Sequence, residues 1–236
     1  MQRDRPFLGV LMLDTAFPRI LGDAGNPNSY PFPTKIETVT GAGAPDVVAA
    51  HGPRAELTES FIGVAQKLEA DGAIGLVSTC GFLVHRQHEI AASVNIPVMV
   101  SALSLYPILK IATGGAPIGV LTASEPNLVD GTLQAAGIDP GGVEIAGLDG
   151  CKPFSDAILA EKLSQPSTLD AQEIEAFAIS QAKSLLQRNP SIKCFLLECG
   201  NLPPYAEPIR AATDRPVFSI LDAAQMIWNG SERQGF

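Results

Sequence analysis

Cys80 and Cys199 each precede a glycine at the end of a short apolar run, and they lie 119 positions apart (199 − 80). Residues 73–101 and 192–220 align at that same offset without a gap. Gly81 falls on Gly200, Leu83 on Leu202, Ile90 on Ile209, Ala92 on Ala211, and Pro97-Val98 on Pro216-Val217. Each copy reads as a strand, a thiol at its carboxyl end, a helix, and the start of another strand, which is the pattern of a βαβ unit. A duplicated unit implies two similar lobes, and lobes that face each other bring two thiols into one cleft. A free cysteine is usually a small core hydrophobe. That reading is given to Cys151, beside a turn, and to Cys194, inside a strand. Cys80 and Cys199 are assigned chemistry, because they match between the copies and stand where open α/β sheets bind ligands.

A thiolate at a helix N-terminus is expected to have its pKa lowered from about 8.5 toward neutrality. One thiolate then takes a proton from a carbon acid while the opposite thiol returns one. A stereocentre is inverted with no cofactor and no metal. The groups beside the thiols are the candidates to bind a substrate carboxylate and the charge of its enediolate. They are Ser78, Thr79, Gly81 and Phe82 on one side, with Gly200, Asn201 and, from a neighbouring strand, Thr122 on the other. Arg19 either pairs with that carboxylate, a bidentate task that suits arginine, or is a surface residue. Glu198 either tunes the adjacent thiol or points away, since strand neighbours face opposite sides. Asp14 either lines the cleft or caps a turn. His85 and His88 have a spacing that would suit a metal, but with no third ligand in view they read as a solvated helix face. Other chemistries suit the same thiols: decarboxylation, cis–trans isomerisation through a nucleophilic cysteine, or plain binding of a small acid.

The elements that must position these residues alternate between strand and helix. Strands are expected at 7–13, 35–40, 74–77, 96–100, 117–121, 143–148, 192–197 and 216–220. Helices are expected at 55–70, 84–94, 104–113, 127–136, 170–187, 204–213 and 222–228. Residues 17–33 form a long loop after the first strand, a length that is often functional, and GAGAPDV at 41–47 reads as a plain turn. The fold class is α/β, with two pseudosymmetric Rossmann-like lobes of parallel sheet and the active site between them. Lobe one is drawn as 1–101 plus 216–236 and carries Cys80; lobe two is 102–215 and carries Cys199. The tail SERQGF, 231–236, is expected to fray.

Composition narrows the function classes. With 46% hydrophobic and 17% charged residues in 236, the chain is globular. A net charge of −9 without a basic run argues against nucleic acid or an anionic membrane as partner. No apolar stretch approaches the roughly 18 residues of a membrane span. The opening MQRDRPFLGVLMLD imitates a signal peptide, but Asp14 ends its apolar run and no small-residue cleavage site follows. It reads as a buried first strand, and the cytoplasm is the expected compartment. The expected partner is a small-molecule carboxylate. Apolar residues near the end, Trp228 among them, offer a contact for a homo-oligomer.

STCGFL at 78–83, GVLTAS at 119–124 and LECGNLPPY at 197–205 resemble the aspartate/glutamate/hydantoin racemase superfamily. FPRILGDAGNP at 17–27 is similar to the branch labelled aspartate/glutamate racemase family proteins. The resemblance spans nearly the whole chain. It implies a cofactor-independent isomerase of an amino acid or amino-acid-like acid, with Cys80 and Cys199 as the acid/base pair across the cleft. One position departs from the pattern: many members have threonine directly after the second cysteine, where this chain has Gly200. The resemblance therefore stops short of implying aspartate or glutamate as substrate, and Asn201 is the nearest substitute for the lost hydroxyl.

Overall fold

A computed structural model describes residues 5–231; of the tail expected to fray, Ser231 is helical and 232–236 lie outside the described residues. One sheet contains β1 (Phe7–Leu13), β2 (Thr34–Val39), β3 (Ala73–Ser78) and β4 (Val98–Met99), in the order β2-β1-β3-β4. The other contains β5 (Ile118–Thr122), β6 (Val143–Gly147), β7 (Cys194–Leu197) and β8 (Val217–Phe218), in the order β6-β5-β7-β8. Every pairing is parallel. The two orders are the same, and so are individual hydrogen bonds. Leu76 N donates to Pro97 O (2.9 Å) as Phe195 N does to Pro216 O (2.8 Å). Thr79 N donates to Leu11 O (3.1 Å) as Glu198 N does to Leu121 O (2.8 Å). The internal duplication is thus a property of the backbone.

The helices are α1 (Ala44–Val47), α2 (Ala55–Ala70), α3 (Gln87–Ala92), α4 (Tyr106–Ala112), α5 (Asp130–Ala135), α6 (Lys152–Phe154), α7 (Ala171–Arg188), α8 (Ala206–Thr213) and α9 (Ile220–Ser231). The two long ones follow their periodicity. In α2, Thr58, Phe61, Ala65 and Leu68 make one buried face, and in α7 Ile174, Ala178, Ala182 and Leu185 do the same. The Asp170 side chain caps α7 by accepting from Glu173 N at 3.0 Å. Strand β1 is buried on both faces at Leu8, Gly9, Val10 and Leu11, as a central parallel strand must be. Among the described residues, no helix is long and apolar enough to cross a membrane.

Several sequence expectations are corrected. The helices after each thiol do not begin at once: 3₁₀ turns at Gly81–Arg86 and Pro203–Tyr205 precede α3 and α8. In the second copy Pro203 and Pro204 occupy the first turn, where their missing N–H groups cost no helical bond. GAGAPDV contains the single helical turn α1 rather than a plain turn, with Pro45 in its first turn. Val217 and Phe218 hydrogen-bond to β7, so the second sheet extends past the boundary drawn at 215. The chain returns to the first lobe only with α9, which packs on β3 and β4. Trp228 is buried and stacked on Phe32 at 4.7 Å, which makes it an internal contact rather than a subunit one. His85 is half-buried, with Nε2 3.0 Å from Thr132 Oγ1 on α5; the solvated face holds for His88 alone.

The seat of α9 depends on Gly75, where any Cβ would collide with Ile227. Gly75→Ala is expected to cost about 1–3 kcal/mol by overpacking, seen as a lower urea midpoint. Gly63, exposed on α2 with open space around it, provides the contrast. Gly63→Ala should raise the midpoint, adding about 0.5–1 kcal/mol.

Candidate active site

The carboxyl ends of β3 and β7 continue into Thr79-Cys80-Gly81 and Glu198-Cys199-Gly200, and these two loops cross at their glycines. A Cβ on Gly200 would lie 2.5 Å from the carbonyl oxygen of Thr79. A Cβ on Gly81 would collide with the carboxylate and carbonyl of Glu198. Thr79 and Glu198 are themselves equivalent (198 − 79 = 119), so each glycine seats the residue that precedes the other lobe's cysteine. This mutual approach explains Gly200, because the crossing leaves no room for a threonine side chain.

Both thiols line one narrow pocket. Thr79, Phe82, Asn201 and Arg19 line it with them. The other residues singled out from the sequence stand behind that wall. Ser78 donates to Val100 O (2.5 Å) and accepts from Cys80 N (3.2 Å), so its hydroxyl pins the loop. Thr122 donates to Glu198 Oε2 at 2.9 Å, and Ala123 lines the pocket in its place. Gly81 and Gly200 form the crossing itself.

Glu198 is 1% exposed and lines the pocket. Oε2 accepts from the Thr122 hydroxyl and from Ala123 N (3.2 Å), while Oε1 has no hydrogen-bond partner among the described residues. Burial pushes its carboxyl up to about 7, with the two donors to Oε2 pulling the other way. Burial also pushes both thiols far above their ordinary value, and the charge of Glu198 adds to the rise in each. The N–H groups of Phe82 and Leu83 favour a Cys80 thiolate, and that of Asn201 favours a Cys199 thiolate. The lowered thiol pKa expected from the helix terminus is therefore reversed. A few amides at a short 3₁₀ turn are outweighed by desolvation and a neighbouring carboxylate.

The long loop between β1 and β2 is organised on Asp23, which is 3% exposed. Its Oδ1 accepts from Arg19 Nη1 (3.0 Å) and Gly25 N (2.7 Å), and its Oδ2 accepts from Asn201 Nδ2 (2.7 Å). Cys199 Sγ in turn donates to Asn201 Oδ1 at 3.3 Å. Arg19 also donates to Thr15 Oγ1 (2.9 Å) and lies over the Phe17 ring at 4.4 Å, so it is a fixed wall of the pocket and not a surface residue. Ala24 N bonds to Gly200 O at 2.8 Å, tying the first lobe's loop to the second lobe's thiol turn. Asp14 caps a turn through Gly41 N (3.0 Å) and pairs with Lys162 (2.5 Å). With Gln165 Oε1 accepting from Ala16 N (2.6 Å), that pair ties a second-lobe segment to the chain just after β1. The segment includes a π-helical turn, Ser155–Leu159, whose Ile158 reaches the pocket; such turns recur at functional sites.

No family model matches the chain. Arylmalonate decarboxylase superposes with a TM-score of 0.55, covering 98% of this chain and 94% of that one at 14% identity. Allantoin racemase from Pseudomonas fluorescens gives 0.54, over 95% and 90% at 17% identity. A glutamate racemase isoform from Bacillus anthracis gives 0.54, over 94% and 81% at 16% identity. The chain has the two-lobed fold of the aspartate/glutamate/hydantoin racemase superfamily. Sequence similarity runs toward proteins of another name. The dimethylsulfoniopropionate lyase of Durusdinium sp. clade D is 27% identical over 228 residues, 94% of this chain and 74% of that protein. Dimethylsulfoniopropionate lyase 5 of Emiliania huxleyi is 27% identical over a 239-position alignment that covers 98% of this chain but 46% of that longer protein.

Within this racemase fold, the sequence reading missed Asp23, Ala123 and Ile158. Arg19 and Asp23 stand four residues apart in FPRILGDAGNP, a pairing distance that was there to be read. Ile158 gave no signal, since its segment lacks regular periodicity. Glu198, left open by strand alternation, stands in the pocket wall. In the unfolded chain its carboxyl ionises near 4.5, and in the folded chain at about 7. Folding thus loses stability as pH rises between those values and recovers none above. Glu198→Gln removes that loss. It should be more stable than the wild type at pH 8, by about 3 kcal/mol at about 1.36 kcal/mol per pKa unit, with the gap closing toward pH 4 in urea titrations.

Proposed function

We propose that this chain is a cofactor-independent enzyme that removes the proton on the carbon α to the carboxylate of a small organic acid. The observation that carries the reading is that both duplicated thiols line one small buried pocket. A thiolate takes the α-proton, and the electron pair of that C–H bond moves into the enediolate of the carboxylate. Arg19 is the cation in the pocket wall, and it would meet one carboxylate oxygen. Leu13, Phe17, Phe82 and Ile158 give the rest of the wall an apolar character.

The fate of the enediolate decides the reaction class, and elimination is the outcome we favour. The electron pair then forms a double bond to the β-carbon and expels the β-substituent; the proton left on sulfur returns to water. Two facts support this. The curated relatives that align along nearly the whole chain are named dimethylsulfoniopropionate lyases, and dimethylsulfoniopropionate has such a β-substituent, leaving as a neutral sulfide. The two faces of the pocket are also chemically unequal: equivalent positions hold Thr79 and Glu198, and Phe82 and Asn201. A one-way cleavage has no need of equal faces, whereas mirror-image substrates are served best by them. Two-base racemisation is the second reading, favoured by the presence of a thiol in both copies.

Proton NMR in deuterium oxide separates the two, using dimethylsulfoniopropionate, amino acids and hydantoins as a panel. Elimination gives alkene and sulfide signals, with one of Cys80→Ser and Cys199→Ser losing about a hundredfold or more in rate and the other less. Racemisation gives α-deuterated substrate of both hands, with both variants abolishing exchange. Absence of both exchange and cleavage across the panel would sink the α-proton reading.

A further inference from the structure

The pocket holds a third acid that the thiol chemistry does not use. Both donors that reach Glu198, the Thr122 hydroxyl and the Ala123 amide, bond to Oε2. In the neutral acid the proton therefore sits on Oε1, the oxygen with no partner among the described residues. Oε1 lies against Gly81, where an added Cβ would collide with it, and Glu198 is one of the residues that line the pocket. A buried polar atom left unpaired at a pocket wall points to a missing ligand group.

We propose that Glu198 works as the neutral acid, donating its Oε1 proton to an oxygen of the substrate carboxylate and holding the charge that gathers there as the α-proton leaves. The inference rests on the α-proton reading and adds a catalytic residue to it. The charged and titratable groups around Glu198 agree. Cys80 and Cys199 stand beside it, and an ionised Glu198 opposes the thiolate of each. The pocket's cation, Arg19, is already engaged by Asp23, so little positive charge remains to offset a second carboxylate. A neutral donor meets the substrate oxyanion without that conflict, and such donors matter most in a dry site. The competing roles, proton acceptor or counter-charge to a cationic substrate group, both need the ionised form.

Glutamine distinguishes the roles, because its carbonyl can accept from Thr122 and Ala123 while its NH₂ takes the place of the Oε1 proton. The rate of α-deuterium exchange or cleavage is measured from about pH 5 to pH 9 in wild type, Glu198→Gln and Glu198→Ala. The wild-type rate is expected to fall as pH rises through about 7. Glu198→Gln should stay within about tenfold of wild type at the acid end and lose that decline, whereas Glu198→Ala drops about a hundredfold or more, in kcat more than in KM. Infrared spectra of the ligand-free protein add a readout independent of turnover. A protonated-carboxyl band present at pH 6 and missing from Glu198→Gln supports the proposal. Its absence overturns it, as does a glutamine variant no more active than alanine. If no substrate turns over, the α-proton reading fails separately, and the infrared band alone decides the state of Glu198.

Discussion

The structure turns on the contact between two glycines and the chain that crosses them. Gly81 lies against the backbone and carboxylate of Glu198, and Gly200 against the carbonyl of Thr79. Two parallel sheets can each offer a thiol at a strand end without those thiols meeting. Here the lobes approach until the backbone of one loop fills the space of the other's absent side chain, and both sulfurs reach the same pocket. Seats of this kind recur in the sheets. Gly9 and Gly119 occupy matching places in the central strands of the two sheets, each under a large side chain, Leu76 or Phe195, of the adjacent strand. The lobes are assembled from close approaches that glycine alone permits.

Dryness sets the electrostatics that result from this approach. Cys80 and Cys199 are each 5% exposed and Glu198 is 1% exposed. Three acids in one desolvated space cannot all ionise, since each new charge meets both the cost of burial and the field of the others. The nearby ion pair is kept apart from this contest. Asp23 accepts from Arg19, Gly25 and Asn201 together, so the charge of Arg19 is largely balanced before any ligand arrives. The link from Cys199 through Asn201 to Asp23 then orients one thiol by a chain of neutral and charged partners. Cys80 has backbone amides instead. The two sulfurs are topological twins in different chemical settings.

How legible this was in the sequence depended on the range of the interaction. The 119-residue offset, the strand ends at Cys80 and Cys199 and the buried faces of the long helices are local patterns, and they carried the fold and its thiols. The orientation of Glu198 could not be read, because strand alternation stops where the chain bends into the crossing. Ser78 looked like a ligand-binding hydroxyl, yet its partner is Val100, 22 residues away on the neighbouring strand's exit. The lowered thiol pKa failed for a related reason. Helix position is visible in a sequence, whereas the burial and the facing carboxylate that override it come from the opposite lobe. The boundary at 215 erred because β8 is two residues long and its allegiance is set by hydrogen bonds to β7, not by composition.

Duplication gives a protein symmetry without a need to keep it, and the places where this chain departs from symmetry are informative. The backbone has kept its pairs of equivalent hydrogen bonds on both sides. Some side chains that only support the fold have kept their identity: Leu83 and Leu202 are both fully buried, as are Ile90 and Ile209. Of the side chains that face the ligand space, the two cysteines are kept, whereas Thr79 and Glu198, and Phe82 and Asn201, differ. Thr79 uses its hydroxyl to accept from Leu13 N at 3.2 Å, within its own lobe. Glu198, its equivalent, reaches past the strand end to accept from Thr122 and Ala123 and leaves one oxygen unspent. A structural carboxylate would be expected to satisfy both oxygens, because an unpaired buried acceptor is costly and brings no packing in return. Divergence in the pocket wall, with a polar atom left over on one side, is what unequal demands on the two faces produce. The framework and the thiols are shared between the halves, and the differences in the pocket wall give each thiol its own surroundings.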